Sequence, residues 1–177
     1  FMGKEYGGTE HPLLIKFVIS PNMVIAQYPL LHNIGLARDT VESFSAKVGA
    51  DFTANEISFL VQGMLKIEKM IANFEEDEKR SQEISQALSE ISLIQKEKGK
   101  KTSCAKIMET YEPLLHEGFF ASAQEQVCCM LERVSYLLSL DEQNEEDTAI
   151  LIHPMVYGNY TKNSCSGSCF SRNVVTG

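Results

Sequence analysis

Between residues 53 and 74 the apolar side chains Ile57, Leu60, Met64, Ile67, Ile71 and Phe74 alternate three and four positions apart, which puts them all on one stripe of a helix. Thr53, with Glu56 three residues later, predicts the capped start of that helix. The stripe breaks at EEDEKRS and resumes in a shifted register at Ile84, Leu88, Ile91 and Ile94. A straight helix would then bury two differently facing stripes, so the pattern predicts a kinked helix or two helices meeting near residues 75–81. Gly99 closes this region. A second long amphipathic helix is predicted in FFASAQEQVCCMLERVSYLLSL, with Phe120, Val127, Leu131, Val134 and Leu138 on its inner face.

Shorter segments are read from their boundaries. Asp39 followed by Glu42, and Gly49 at the far end, predict a helix over about residues 40–48. Another is expected to start at Thr102 or Ser103 and to break before Pro113. NMVIAQYPLLHNIGLA is apolar almost throughout, and Pro29 suits the first turn of a helix, so two short buried helical pieces with a joint at Tyr28 and Pro29 are expected. LLIKFVI, residues 13–19, reads as a buried strand or a helical turn. TAILIHPMVY reads as a strand that Pro154 confines to a sheet edge.

The predicted fold is mainly α: a single-domain irregular helical bundle with a minor two-stranded β element from residues 13–19 and 149–157. The domain is placed at residues 1–157, with Phe1, ahead of Met2, set aside as a non-native leading residue. Residues 158–177 form a tail rich in Gly, Ser, Asn and Cys. No repeat of domain-building length is apparent.

Composition narrows the function classes. The 177 residues are 44% hydrophobic and 23% charged, as in an ordinary folded domain. A formal charge of −8 disfavours phosphate backbones and anionic membranes, so no nucleic-acid partner is expected. The apolar runs are too short to span a bilayer and no secretory leader is visible, which predicts a cytoplasmic protein without direct membrane insertion. Five cysteines do not read as a disulfide framework, and reduced thiols are expected.

Local motifs for catalysis fail on spacing. His116–Glu117 opens like a zinc-protease helix, but Phe120 occupies the position of the second ligand. KGKKTS resembles the end of a phosphate-binding loop without its first glycine or its preceding strand. The segment around Gly49 has a helix-turn-helix outline, yet no Lys or Arg precedes Lys66 on the second helix. For a metal, Cys165 and Cys169 could join His153 and one of Cys104, Cys128 or Cys129 as soft ligands; the same tail pair could form a regulatory disulfide.

What remains is surface for a protein partner. Ile57, Leu60, Met64, Ile67, Ile71, Phe120, Val127, Leu131 and Val134 supply more apolar stripe than one small bundle needs, and are the partner-binding candidates. A small acidic chain with the helices at 54–74 and 120–140 resembles the chaperone and adaptor subunits of bacterial secretion systems that serve a type IV coupling ATPase. That resemblance implies a heteromeric complex, a partner segment held in an apolar groove, and no cofactor. The expected function is therefore a non-enzymatic adaptor or chaperone. The alternatives are a metal- or thiol-dependent regulator using the tail cysteines, and an enzyme whose site is not readable locally.

Overall fold

The β-branched run at the N-terminus does become a strand, β1 (Ile15–Pro21), and it sits in the middle of a small antiparallel sheet. The computed structural model describes residues 3–21, 28–96, 103–141, 148–157 and 163. Residues 22–27, the basic segment 97–102, the acid-rich segment 142–147 and the tail cysteines Cys165 and Cys169 lie outside the described residues. On one side β1 pairs with β2 (Leu31–Ile34), and on the other with β3 (Thr148–Pro154), residue for residue from Ile15 opposite Pro154 to Pro21 opposite Thr148.

The expected ribbon between the two strand-like runs therefore exists, with a third strand added. β2 replaces the second of the helical pieces expected after Pro29. Asn33 explains why: its φ of 61° lies in the left-handed region, which an α-helix cannot contain. The chain remains mainly helical and builds one core, in which Phe17, Leu31 and Ile34 of the sheet meet Ile57, Leu60, Met64 and Phe119.

Five helices follow among the described residues: α1 (Val41–Val48), α2 (Ala50–Phe74), α3 (Glu78–Lys96), α4 (Cys104–Tyr111) and α5 (Ala123–Leu140). Two caps differ from the sequence reading. Asp39 does not cap α1; its carboxylate accepts from the Ala123 amide at the start of α5, at 3.2 and 3.3 Å. Gly49, at φ 92°, lets the chain turn directly from α1 into α2, so α2 begins ahead of Thr53, whose hydroxyl donates to the Gly49 carbonyl within the first turn. The break near residues 75–81 resolves into two helices. Glu76 at φ 57° reverses the chain, and Asp77 accepts from the Arg80 amide to start α3. Ser103 and Ser122 cap α4 and α5.

α2 packs against α1, α3, α4, α5 and β2 and is the axis of the molecule. Glu68 lies on its inner side with no exposure, held by Arg133 of α5 (2.7 and 2.8 Å) and Arg80 of α3 (2.6 Å). Gln126 performs a neutral version of the same task. Its amide accepts from the Gly35 N–H at 2.7 Å and donates to the carbonyls of Leu36 and Phe119, joining the loop after β2 to α5.

The β1–β2 pairing contains a bulge. Leu31 opposes Phe17 and Ile34 opposes Ile15, so His32 and Asn33 together face Lys16. The bulge is fixed by the Asn33 side chain, which donates to the Glu56 carboxylate (2.8 Å) and main-chain carbonyl (3.0 Å) and accepts from Tyr157 at 2.8 Å. Tyr157 is steadied in turn by Phe44 and Phe52. Among the described residues Glu56 has amide donors but no cation, and burial pushes its pKa above the usual carboxylate value.

Two stability predictions follow from these networks. Glu68→Gln removes the counter-charge of a largely buried Arg133 and costs about 3 kcal/mol in denaturant unfolding at neutral pH, whereas Arg80→Gln, at the wetter pair, costs about 1 kcal/mol or less. For Glu56 the folded pKa is raised, so the fold favours the neutral acid. Its contribution is most favourable below the unfolded carboxylate value and declines as pH rises through the folded one. Glu56→Gln, which keeps an acceptor for Asn33 without the charge, should gain melting temperature over the parent at pH 8 and none at pH 4.

Candidate functional site: a basic sheet face

Strand alternation divides β1 between two environments. Phe17 and Ile19 point into the core at 0% and 2% exposure, so Lys16, Val18 and Ser20 lie on the opposite face of the sheet. On that outer face β3 contributes His153, directly opposite Lys16, and Leu151, directly opposite Val18. The bulge adds His32 from β2 on the other flank of Lys16. All three basic residues are half-buried. A lysine between two histidines therefore runs across three adjacent strands.

The fourth basic group comes from α2. A side-chain carbon added at Gly63 would lie 3.2 Å from the Leu30 carbonyl and 3.3 Å from the Leu31 side chain, so this glycine lets the helix backbone come close against β2. Lys66 follows about one helical turn later and is exposed. Its charge reaches His32: burial is the largest cause of a lowered His32 pKa, followed by the charges of Lys16, His153 and Lys66. Among the described residues, no carboxylate contributes to the field at His32.

That one-signed field contrasts with the pairing of the described arginines. Arg38 is held by Glu112 through two nitrogens, Arg80 and Arg133 share Glu68, and His116 lies 3.9 Å from Glu132. Among the described residues, no acid pairs with Lys16, His32, His153 or Lys66. The arrangement has donors from two ammonium groups and two imidazoles, borne on strands and a helix instead of loops. Chemically it suits an anion: it can neutralise and orient negative charge, and it presents no nucleophile paired with a base.

The structure places the residues singled out from sequence in several regions. Ile57, Leu60, Met64, Ile67, Ile71, Phe120 and Val134 have 0% exposure inside the core of this chain; Val127 and Leu131 of α5 are half-buried. Of the soft-ligand candidates, His153 lies on the basic face and Cys128 is an exposed free thiol on α5. Its neighbour Cys129 is buried, with its thiol pKa pushed up first by burial. No group of three or more potential metal ligands occurs among the described residues. Lys16 and His32 were missed by sequence reasoning. Each is a single basic residue inside an apolar run, LLIKFVI and PLLHNIG, and that interruption was the available signal.

No protein-family model matches the chain. It is 43% identical over 174 residues to pyruvate, phosphate dikinase of Treponema pallidum (strain Nichols). The alignment takes in 98% of this chain and 19% of that protein, so the chain spans about a fifth of the relative's length. This similarity overturns the expected resemblance to secretion chaperones and adaptors: the relative bears the name of an enzyme, and the likeness runs through nearly the whole chain. With it fall the non-enzymatic function and the assignment to protein secretion. Of the expectations about location, the structure supports one plain statement: among the described residues, no helix is long and apolar enough to cross a membrane.

Proposed function

We propose that this chain is a substrate-binding module of a dikinase-type phosphotransferase, working in the cytoplasm as part of a larger catalytic unit. The observation that carries the reading is an identity of 43% sustained over 98% of the chain. Similarity of that extent reflects a common fold and not one shared local motif. The relative is named for pyruvate and phosphate, both of them anions, and the basic sheet face is the surface here that suits an anionic substrate.

The chemistry is compatible with this division of labour. Phosphoryl transfer asks little covalent work of a protein; the rate comes mainly from holding donor and acceptor in line and from neutralising the charge that spreads over the phosphoryl oxygens. A module that supplies positioned cations on rigid elements contributes to both. Residues completing the reaction would come from the remainder of the catalytic unit, which also takes the place of the expected protein partner.

A chimera tests the reading. The matched region of the Treponema pallidum dikinase is replaced by this chain, and as control by a flexible Gly/Ser linker of the same length. The expected chimera unfolds cooperatively and shows phosphate- and pyruvate-dependent kinase turnover above the linker control. A chimera that does not fold, or that folds with turnover no higher than the control, overturns the proposal.

A further inference from the structure

We propose that the open edge of β3 is a self-association surface, on which the β3 strand of a second copy of this chain pairs antiparallel about a two-fold axis at Leu151. The inference rests on the geometry of the sheet and is independent of the dikinase reading.

Among the described residues β3 is the last strand of the sheet, and β1 occupies only one of its edges. Which main-chain groups face the other edge follows from one hydrogen bond. The Met155 N–H donates to the Leu14 carbonyl at 2.8 Å, one step beyond the pair Ile15 and Pro154 in the same register. In an antiparallel ladder the pairs that exchange hydrogen bonds alternate with pairs that do not, so His153, Leu151 and Ala149 turn their N–H and C=O groups toward β1. Ile150 and Ile152 therefore turn theirs outward. The two prolines agree with this phase, because Pro154 and Pro21 both fall in pairs where no N–H is wanted toward the opposite strand.

Sheet edges are ordinarily guarded by charge, by a bulge or by proline. β3 runs seven residues in unbroken register, and from Thr148 to Tyr157 the sequence holds no Asp, Glu, Lys or Arg. Pro154 guards only its end. Leu151 on one face and Ile152 on the other are 59% and 49% exposed, so the edge offers apolar side chains together with outward N–H and C=O groups.

The sequence of the edge specifies a second copy as its occupant. With Leu151 opposite its own symmetry mate, each Ile150 lies opposite an Ile152, and these two pairs exchange all of their outward N–H···O=C bonds. Moving the axis to Ile152 would set Ile150 opposite Pro154, which has no N–H to give. With the axis at Leu151 the two leucines form a pair of the closely spaced, non-bonded kind, side by side on the outer face. Charge favours the same orientation. The acid-rich stretch 142–147 precedes Thr148 in sequence, and Lys16 and His153 lie toward the other end of the strand. Two chains of −8 repel on average, but an antiparallel two-fold brings the acid-bearing end of each strand toward the basic end of the other. It joins two three-stranded sheets into one and closes at two copies.

Sedimentation of the full 177-residue chain under reducing conditions, from about 10 μM to about 1 mM, covers the range expected for a small interface. The mass should rise from 19.8 kDa toward twice that value and stop there. Leu151→Lys puts like charges face to face on the axis and should weaken association by at least about tenfold. Leu93→Lys, at an equally exposed leucine on α3, should leave it unchanged. Backbone amide spectra establish that both variants keep the fold. Leu151→Cys, treated with oxidised glutathione, should form a disulfide that peptide mapping places between the two copies of residue 151, and Ile152→Cys, which faces Ile150, should form far less of its own. A chain that stays monomeric, a mass that climbs past the dimer, or association indifferent to Leu151→Lys overturns the proposal. A monomer whose Ile150 and Ile152 amides resist hydrogen exchange shows that the chain's own remaining residues cover the edge, and overturns it as well.

Discussion

An ionised carboxylate withdrawn completely from water is destabilising unless cations and hydrogen bonds replace its hydration shell. Glu68 meets that demand with two arginines from two different helices, and the requirement therefore fixes geometry. Only one rotation of α2 about its axis points Glu68 at both α3 and α5. Successive residues of a helix are about 100° apart, so an error of a single position would leave the carboxylate against apolar side chains. Once α2 is fixed in rotation, Gly63 must face β2 and Lys66 must emerge beside it. A charge buried on one side of the helix thus determines where another charge appears at the sheet.

The sheet solves a related problem. An antiparallel sheet with one face on a core leaves its other face to solvent or to a partner. Here the inner face is filled by Phe17, Ile19, Leu31 and Ile34, and the alternate positions cannot help this core. They carry Lys16, His153, Val18 and Leu151 instead. The bulge lets β2 contribute to both sides within four residues: Leu31 and Ile34 stay inside, while His32 lies beside Lys16. With regular alternation over all four residues, His32 and Ile34 would share a face, and one of them would be misplaced.

Much of the helical part was legible because helix periodicity is a local property. Ile57 through Ile71 form the buried stripe that their spacing predicted, and Ser103 and the break near Asp77 lie where polar residues interrupt the pattern. β2 was not legible, because LHNI is too short to display a period and its conformation is set by Asn33 reaching Glu56 twenty-three residues away. Asp39 was assigned to the nearest helix start but caps one eighty-four residues on, a choice made by tertiary packing. The basic face was hidden for the same reason. Its members at positions 16, 32, 66 and 153 share no spacing, and only strand pairing and a close helix approach bring them together. The likeness to the dikinase was equally inaccessible to motif reasoning, since it is distributed over 174 residues.

Fold and site share residues, which links their energetics. Asn33 is held by α2 and by Tyr157, and its neighbour His32 has its pKa lowered, first by burial. Because burial and three positive charges lower the His32 pKa, the unfolded chain takes up a proton first as pH falls through the ordinary histidine value. The folded state loses stability across that window, down to the lowered pKa. Glu56, held by the side chain of the same Asn33, acts in the opposite direction: burial raises its pKa, so its contribution favours the fold more as pH falls through that raised value. One bulge thus ties together two groups whose protonation pulls stability in opposite senses.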